Sequence, residues 1–147
     1  GCTGTACDPV NLMTGWALHN WTLAAGATQA NYVFEDGGLV ATQTRNPDPS
    51  AYYNLTDFSN VVIEGRFTVR TVSDDDFVGF VFGWQDPQRF YLFDWKQALQ
   101  PFGSCGTAEA GASLKLMMAA TPADLCADFW SSAGTNRTKV LVDTSKN

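Results

Sequence analysis

Three consecutive carboxylates, Asp74, Asp75 and Asp76, are the densest chemistry in the sequence. Like charges in close range disfavour one another's ionisation, and a bound divalent cation removes that penalty. Ca²⁺ is a hard cation with a large appetite for oxygen ligands, and short carboxylates on loops supply them. Twelve of the fifteen acidic residues are Asp and three are Glu. The plain alternative is that the Asp residues sit in solvated turns, where this side chain is common.

Other chemistries have weaker footing. His19 is the single histidine, no Gly-x-Ser-x-Gly elbow is present, and a catalytic triad needs a base oriented by a third group. Packing or a surface position is the expectation for this lone histidine, in Leu18-His19-Asn20-Trp21. Glycosidases place two acids across a cleft, but Glu35, Glu64 and Glu109 fall in separate segments. Asp94 interrupts the aromatic run from Phe90 to Trp95, on the same strand face as Phe90, Leu92 and Lys96. An ion pair or a hydrogen-bonded, partly exposed carboxylate is expected there, with catalysis as the alternative.

Four cysteines admit three pairings, and local spacing favours Cys2 with Cys7 and Cys105 with Cys126. Closing the second loop would stabilise the fold by roughly 3 kcal/mol on the chain-entropy account. Zinc is rejected, because no Cys-x-x-Cys pair accompanies the lone histidine. Disulfides and an acidic composition point to an exported, secreted or cell-surface protein. Sequons at Asn20, Asn54 and Asn136 add weak support.

The 147 residues carry a net charge of −6 with nine dispersed Lys and Arg, so there is no basic stripe for nucleic acid. No apolar run is long enough to span a membrane. One domain with a sizeable aromatic core is expected over 16–147, preceded by a disulfide-stapled leader over 1–15.

Short β runs are expected over 31–34, 38–44 and 51–55, separated by Asp36-Gly37-Gly38 and Asn46-Pro47-Asp48-Pro49. The clearest alternation is 61–71, with Ile63, Gly65, Phe67 and Val69 on one face and Glu64, Arg66, Thr68 and Arg70 on the other. Residues 77–84 place Val78, Phe80, Phe82 and Trp84 together as core, while Gly79 and Gly83 admit close approach of another layer. A four-residue connection over 85–88 leads to a strand over 89–97. Residues 113–119 place Leu114, Leu116 and Met118 inward, 122–130 reads as a short helix or loop, and 138–142 as a last strand. Trp130, beside Ser131-Ser132-Ala133-Gly134, is the best candidate for an exposed, sugar-stacking ring. Many short strands with regular turns predict an antiparallel all-β sandwich or jelly roll.

Residues 67–97, FTVRTVSDDDFVGFVFGWQDPQRFYLFDWKQ, resemble the C-terminal lectin-like domain of thrombospondins and its bacterial relatives. The run Asp-Asp-Asp-Phe-x-Gly-Phe-x-Phe-Gly-Trp-Gln-Asp followed by an aromatic strand ending Trp-Lys-Gln carries the resemblance. Weaker similarity extends back through 61–67, the Asn46-Pro47-Asp48-Pro49 turn and Trp21, and forward through 113–118. The resemblance implies a concanavalin-A-like jelly roll in an extracellular protein that binds Ca²⁺ and mediates adhesion or contact with glycan, matrix or surface partners. By position it implies Asp74, Asp75, Asp76, Asp86 and Asp48 as candidate calcium ligands.

The family's domain continues beyond the point matching Asn147, with a Gly-Trp segment and further strands. A sandwich without them leaves an edge and an apolar face uncovered. The expectation is that a second chain completes the sheet, or that the remainder was removed, for which a terminal Asn suits asparagine-directed cleavage. The functional expectation is a calcium-stabilised, non-enzymatic extracellular binding module. The alternatives are a structural subunit of a surface assembly completed by strand addition, and a carbohydrate-active enzyme fragment using Asp94.

Overall fold

A computed structural model describes residues 9–23, 25–73 and 76–144. The described chain is all-β with one short helix, as the alternation predicts. It forms two compact units, 1–66 and 67–147. The expected Cys2–Cys7 bridge and two members of the acidic triplet, Asp74 and Asp75, lie outside the described residues.

In the first unit, β1 (Trp16–Asn20) pairs antiparallel with β4 (Ser50–Asn54), and β2 (Tyr32–Glu35) pairs with β3 (Val40–Gln43). The second pair is joined by the 3₁₀ turn Asp36–Gly38. Gly38 needs its missing side chain: φ is +95°, and a Cβ would lie 2.9 Å from both Asn11 Oδ1 and Met13 Cγ. That closeness lets the preceding segment dock on the turn. Leu12 N donates to Gly38 O at 2.7 Å, Asn11 Nδ2 to Gly37 O at 3.0 Å, and the Tyr52 hydroxyl to Leu12 O at 2.6 Å. The Tyr52 ring stacks on Trp16 and Tyr32, and burial raises its hydroxyl pKa above the usual 10.0.

The second unit is built on a four-stranded antiparallel sheet. Its elements are β5 (Phe77–Asp86), β6 (Arg89–Lys96), β9 (Gly111–Met118) and β10 (Lys139–Asp143), in the order β10-β9-β6-β5. Between β6 and β9 lies a small pair, β7 (Gln100–Pro101) with β8 (Thr107–Ala108), spanning the 3₁₀ turn Gly103–Cys105. Thr121, Pro122 and Asp124 form a capping box, with Thr121 N and Oγ1 donating to Asp124 Oδ2 at 2.9 and 3.0 Å. It starts a 3₁₀ turn that runs into α1 (Leu125–Trp130), which resolves 122–130 in favour of helix. The disulfide Cys105–Cys126 fastens α1 to the 3₁₀ turn, as the spacing predicts.

Three expectations need correcting. Residues 61–71 form no strand, because a ladder needs a neighbour for its amides and carbonyls and none pairs with this segment among the described residues. Val62 is 89% exposed, although the Phe67 ring reaches Phe80 and Trp95 at 5.5 and 6.5 Å. The connection between β5 and β6 is tighter than four residues, since Asp86 pairs with Arg89 across Pro87 and Gln88. Asp86 makes that turn: Oδ1 accepts from Gln88 N at 2.8 Å and Oδ2 from Arg89 Nε at 2.7 Å. The Arg89 hydrogen bond, aided by that from Gln88, holds its carboxyl below the usual 3.8.

The third correction concerns faces. The β5–β6 register shifts between Phe82 and Asp86, and Gly83 sits in the left-handed region there at φ +57°. Four residue steps on β5, from Phe82 to Asp86, oppose two on β6, from Tyr91 to Arg89, and within this irregular stretch the local alternation is broken. Phe82 therefore stacks on Tyr91, whereas Trp84 stacks on Phe90 on the other side. The expected single row of Phe80, Phe82 and Trp84 is split.

Gly79 shows a second tight approach, to the neighbouring strand rather than to another layer. A Cβ there would lie 1.8 Å from the Phe93 carbonyl oxygen. Gly79→Ala must push β5 from β6, and we expect urea unfolding to show a loss of about 2 kcal/mol, in the range for overpacked sites. Unchanged stability would mean the two strands have slack at this point.

Candidate functional site

Burial along β6 alternates strictly, with Phe90, Leu92, Asp94 and Lys96 covered. Their register partners on β9 put Ser113, Lys115 and Met117 on the same face. Helix α1 covers it: the Phe129 ring lies 5.5 Å from Phe77 and 6.3 Å from Phe90, and Trp130 lies 5.5 Å from Phe77. Two lysines are thus sealed under a helix. An ion in such a place needs a partner and hydrogen bonds to offset desolvation.

Lys115 Nζ donates to Phe129 O at 2.7 Å and lies 3.2 Å from Asp94 Oδ2, while Ser113 Oγ donates to Asp94 Oδ1 at 2.6 Å. Asp94 therefore shares the expected face and forms the expected ion pair, with Lys115. The cavity it lines with Lys96, Ser113 and Lys115 holds about 10 Å³, room for one water and far too little for a sugar ring.

Lys96 has a different set of contacts. Its Nζ donates to Gln100 Oε1 at 2.7 Å and lies 5.7 Å from the Phe77 ring centroid. Trp130 Nε1 donates to the same oxygen at 3.1 Å, and Gln100 Nε2 donates to Asp76 Oδ1 at 2.7 Å. This corrects the expectation for Trp130, which is only 4% exposed and stacks on Phe102 at 4.5 Å. Its indole N–H found a partner beneath the helix, so nothing holds the ring outward.

The opposite face of the sheet is apolar and half open. It presents Val78, Phe80 and Phe82 from β5, Tyr91, Phe93 and Trp95 from β6, and Leu114, Leu116 and Met118 from β9. Phe80 and Phe82 are 47% and 49% exposed. Leu114, Leu116 and Met118 were expected inward. The pairing of Lys115 reverses that, because its ammonium is satisfied inside and its apolar neighbours are turned out.

Of the five candidate calcium ligands, Asp74 and Asp75 lie outside the described residues. Asp76 precedes β5 and Asp86 ends it, so at about 3.3 Å per residue they are roughly 30 Å apart and cannot share an ion. Asp48 is in the first unit, where its Oδ2 accepts from Leu23 N at 2.5 Å. Among the described residues no group of three or more His, Cys, Asp or Glu could hold a metal ion. What fits a hard cation is the all-carboxylate chemistry of the acidic turn, of which Asp76 is the described member.

The remaining candidates are spread out. His19 packs edge-on against Trp21 at 4.8 Å, and burial lowers its pKa from 6.5. Asn20 Oδ1 accepts from Ala30 N at 2.9 Å, Asn54 Oδ1 accepts from Thr56 N at 2.7 Å, and Asn136 is exposed. Sequence reasoning missed Lys115, Gln100 and Ser113. The available signal was a Lys in phase with Ser113 and Met117, two residues to either side on β9.

Comparison with known proteins gives a consistent result. The model of the thrombospondin C-terminal region matches residues 27–147. The chain is 39% identical over 112 residues to thrombospondin-4-B of Danio rerio, covering 72% of this chain and 12% of that protein. It is 40% identical over 95 residues to cartilage oligomeric matrix protein of Homo sapiens, covering 62% of this chain and 12% of the relative. It is also 39% identical over 89 residues to thrombospondin-4 of Xenopus laevis, covering 58% and 9%. The chain thus spans only a small part of the length of these relatives.

The sealed ion pair gives a direct test. Lys115→Ala leaves Asp94 charged and buried without its cation, and should lower unfolding free energy by about 3 to 5 kcal/mol, whereas Asp94→Leu with Lys115→Met should be close to neutral. Urea titrations of both variants check this. Equal losses would show that packing, not charge, matters at this position.

Proposed function

The chain belongs to the thrombospondin C-terminal region family, and on that premise we propose that it is an extracellular, non-enzymatic module that contacts matrix, surface or glycan partners, with calcium organising its acidic turn. The observation that supports contact with a partner is the open apolar face. Aromatic rings on two adjacent strands, β5 and β6, continued by Leu114, Leu116 and Met118 of β9 and with Phe80 and Phe82 about half exposed, are an unusual surface for a chain in water. Aromatic side chains of this kind are the common anchors of protein interfaces. The names of the relatives favour a matrix protein among the partners, since one of them is a cartilage matrix protein.

In this reading calcium is held by Asp74, Asp75 and Asp76, and its contribution would be fixed positive charge that orders the turn before β5. Asp86 belongs to the hairpin it builds with Arg89, and Asp48 to the loop it closes with Leu23. A hydrolase reading gains nothing from Asp94, whose carboxylate is engaged by Lys115 and Ser113.

Completion of the sheet by strand addition is a second reading, supported by the position of β5. It is the outer strand of the four, next to β6 alone among the described residues. Sedimentation velocity over a range of concentrations separates the two: association that grows with concentration belongs to the assembly, a monomer throughout to the isolated binder.

Two outcomes are expected. Chelation should lower the melting temperature by roughly 5 °C, as for an ion that binds only the folded state; an unchanged melt removes calcium from the account. Phe80→Ser with Phe82→Ser should weaken capture by immobilised cartilage matrix about tenfold or more, as loss of interface anchors does. Equal capture would move the contact elsewhere.

A further inference from the structure

The turn between β2 and β3 carries a reactive pair of residues. Asp36 is the only one of the twelve Asp residues that a glycine follows, and both Asp36 and Gly37 are exposed. Asp36 holds φ +50°, a region uncommon for a residue with a side chain, and Gly37 and Gly38 continue in it at +66° and +95°. Among the described residues the Asp36 carboxylate has no partner and the Gly37 amide N–H has no acceptor. A Cβ placed on Gly37 would meet nothing within 4 Å. The carboxyl and the amide nitrogen beside it are thus both unengaged, and nothing crowds the glycine.

These are the conditions for ring closure to a succinimide. The Gly37 nitrogen attacks Asp36 Cγ; an N–Cγ bond forms as a Cγ–O bond breaks, and that oxygen leaves as water with the acid's own proton and the amide proton. Water then opens the imide at either carbonyl. Opening at Cγ restores Asp36. Opening at the main-chain carbonyl carbon breaks its bond to Gly37 N, so the chain afterwards runs through Cβ and Cγ and the old carbonyl becomes a free carboxylate. Water is the only co-reactant, and the product keeps the original mass.

We propose that Asp36–Gly37 is a self-modification site, at which the folded protein converts to isoaspartate and in doing so releases the segment docked on this turn. The added methylene enters a short connection closed by the Glu35–Val40 pair, and it removes the carbonyl that accepts from Leu39 N at 3.4 Å. The docked segment has little tolerance for such a shift. Leu12 N needs Gly38 O at 2.7 Å, Asn11 Nδ2 needs Gly37 O at 3.0 Å, and Gly38 lies so near Asn11 and Met13 that a Cβ would stand 2.9 Å from each. Isoaspartate moves both carbonyls away from donors that have settled on them. The proposal is independent of the calcium reading.

The test keeps the native protein for some weeks at neutral pH and body temperature in water enriched in oxygen-18, then measures isoaspartate and label at each Asp by peptide mass spectrometry. Every imide that opens takes up one labelled oxygen, so return to Asp is counted as well. We expect residue 36 to carry roughly tenfold or more the label of Asp57, an exposed Asp followed by Phe58, for which a barrier lower by about 1.4 kcal/mol suffices. Asp36→Glu, which would have to close a larger ring, should stay unlabelled there. Asp36→Asn should react faster, because ammonia leaves more readily than water. As isoaspartate accumulates, amide-exchange protection at Leu12 should fall in the same proportion, while β5 and β6 keep theirs. A peptide of residues 31–43 reports the chemistry without the fold. Label at residue 36 no greater than at Asp57, or label that appears in the peptide and not in the protein, overturns the site. Isoaspartate with Leu12 still protected overturns the release.

Discussion

Two ammonium groups sealed beneath one short helix constrain the C-terminal unit more than any apolar contact in it. A buried Lys is tolerated only where its three protons find acceptors and its charge finds an answer. Lys115 has a helix carbonyl and Asp94; Lys96 has an amide that leads to Asp76. Each set draws on separate elements: β6, β9 and α1 for the first, and β6, β7, α1 and the residue before β5 for the second. Helix, sheet and turn are therefore mutually required. The Cys105–Cys126 bridge and the stacked rings of Phe77, Phe129 and Trp130 hold the helix in the place those partners need.

With polar anchors on the covered face, the sheet's aromatic residues fall on the other. This arrangement depends on register. The bulge at Gly83 sends Trp84 under the helix side while Phe80 and Phe82 stay outside, so one glycine in a left-handed conformation divides a row that alternation would keep together. The result is a unit with a satisfied charged interior and a half-open apolar exterior. That exterior suits a protein that works by contact with other molecules, and the family to which the chain belongs includes relatives named for the matrix.

The acidic residues divide by role once their partners are seen. Asp94 answers a buried lysine, Asp86 closes a hairpin, Asp48 and Asp124 satisfy backbone amides, and Asp76 accepts from Gln100. A single composition, rich in Asp and poor in Glu, serves turns, caps and ion pairs because a short carboxylate reaches nearby amides with little side-chain freedom to lose.

Much was legible from local pattern. Alternation gave β5, β6 and β9, 122–130 read as either a short helix or a loop, and a loop of the right length gave the Cys105–Cys126 bridge. The family was readable in one ordered run of residues, because turn chemistry and aromatic spacing are written in sequence. Which face of that sheet is covered was decided only by tertiary structure. Alternation assigns residues to two sides but does not say which is inside; that depends on whether Lys115, Lys96 and Trp130 find partners far along the chain, and they do. Likewise 61–71 has the pattern of a strand, but a strand exists only where a second backbone takes its hydrogen bonds, and no alternation of side chains can supply one.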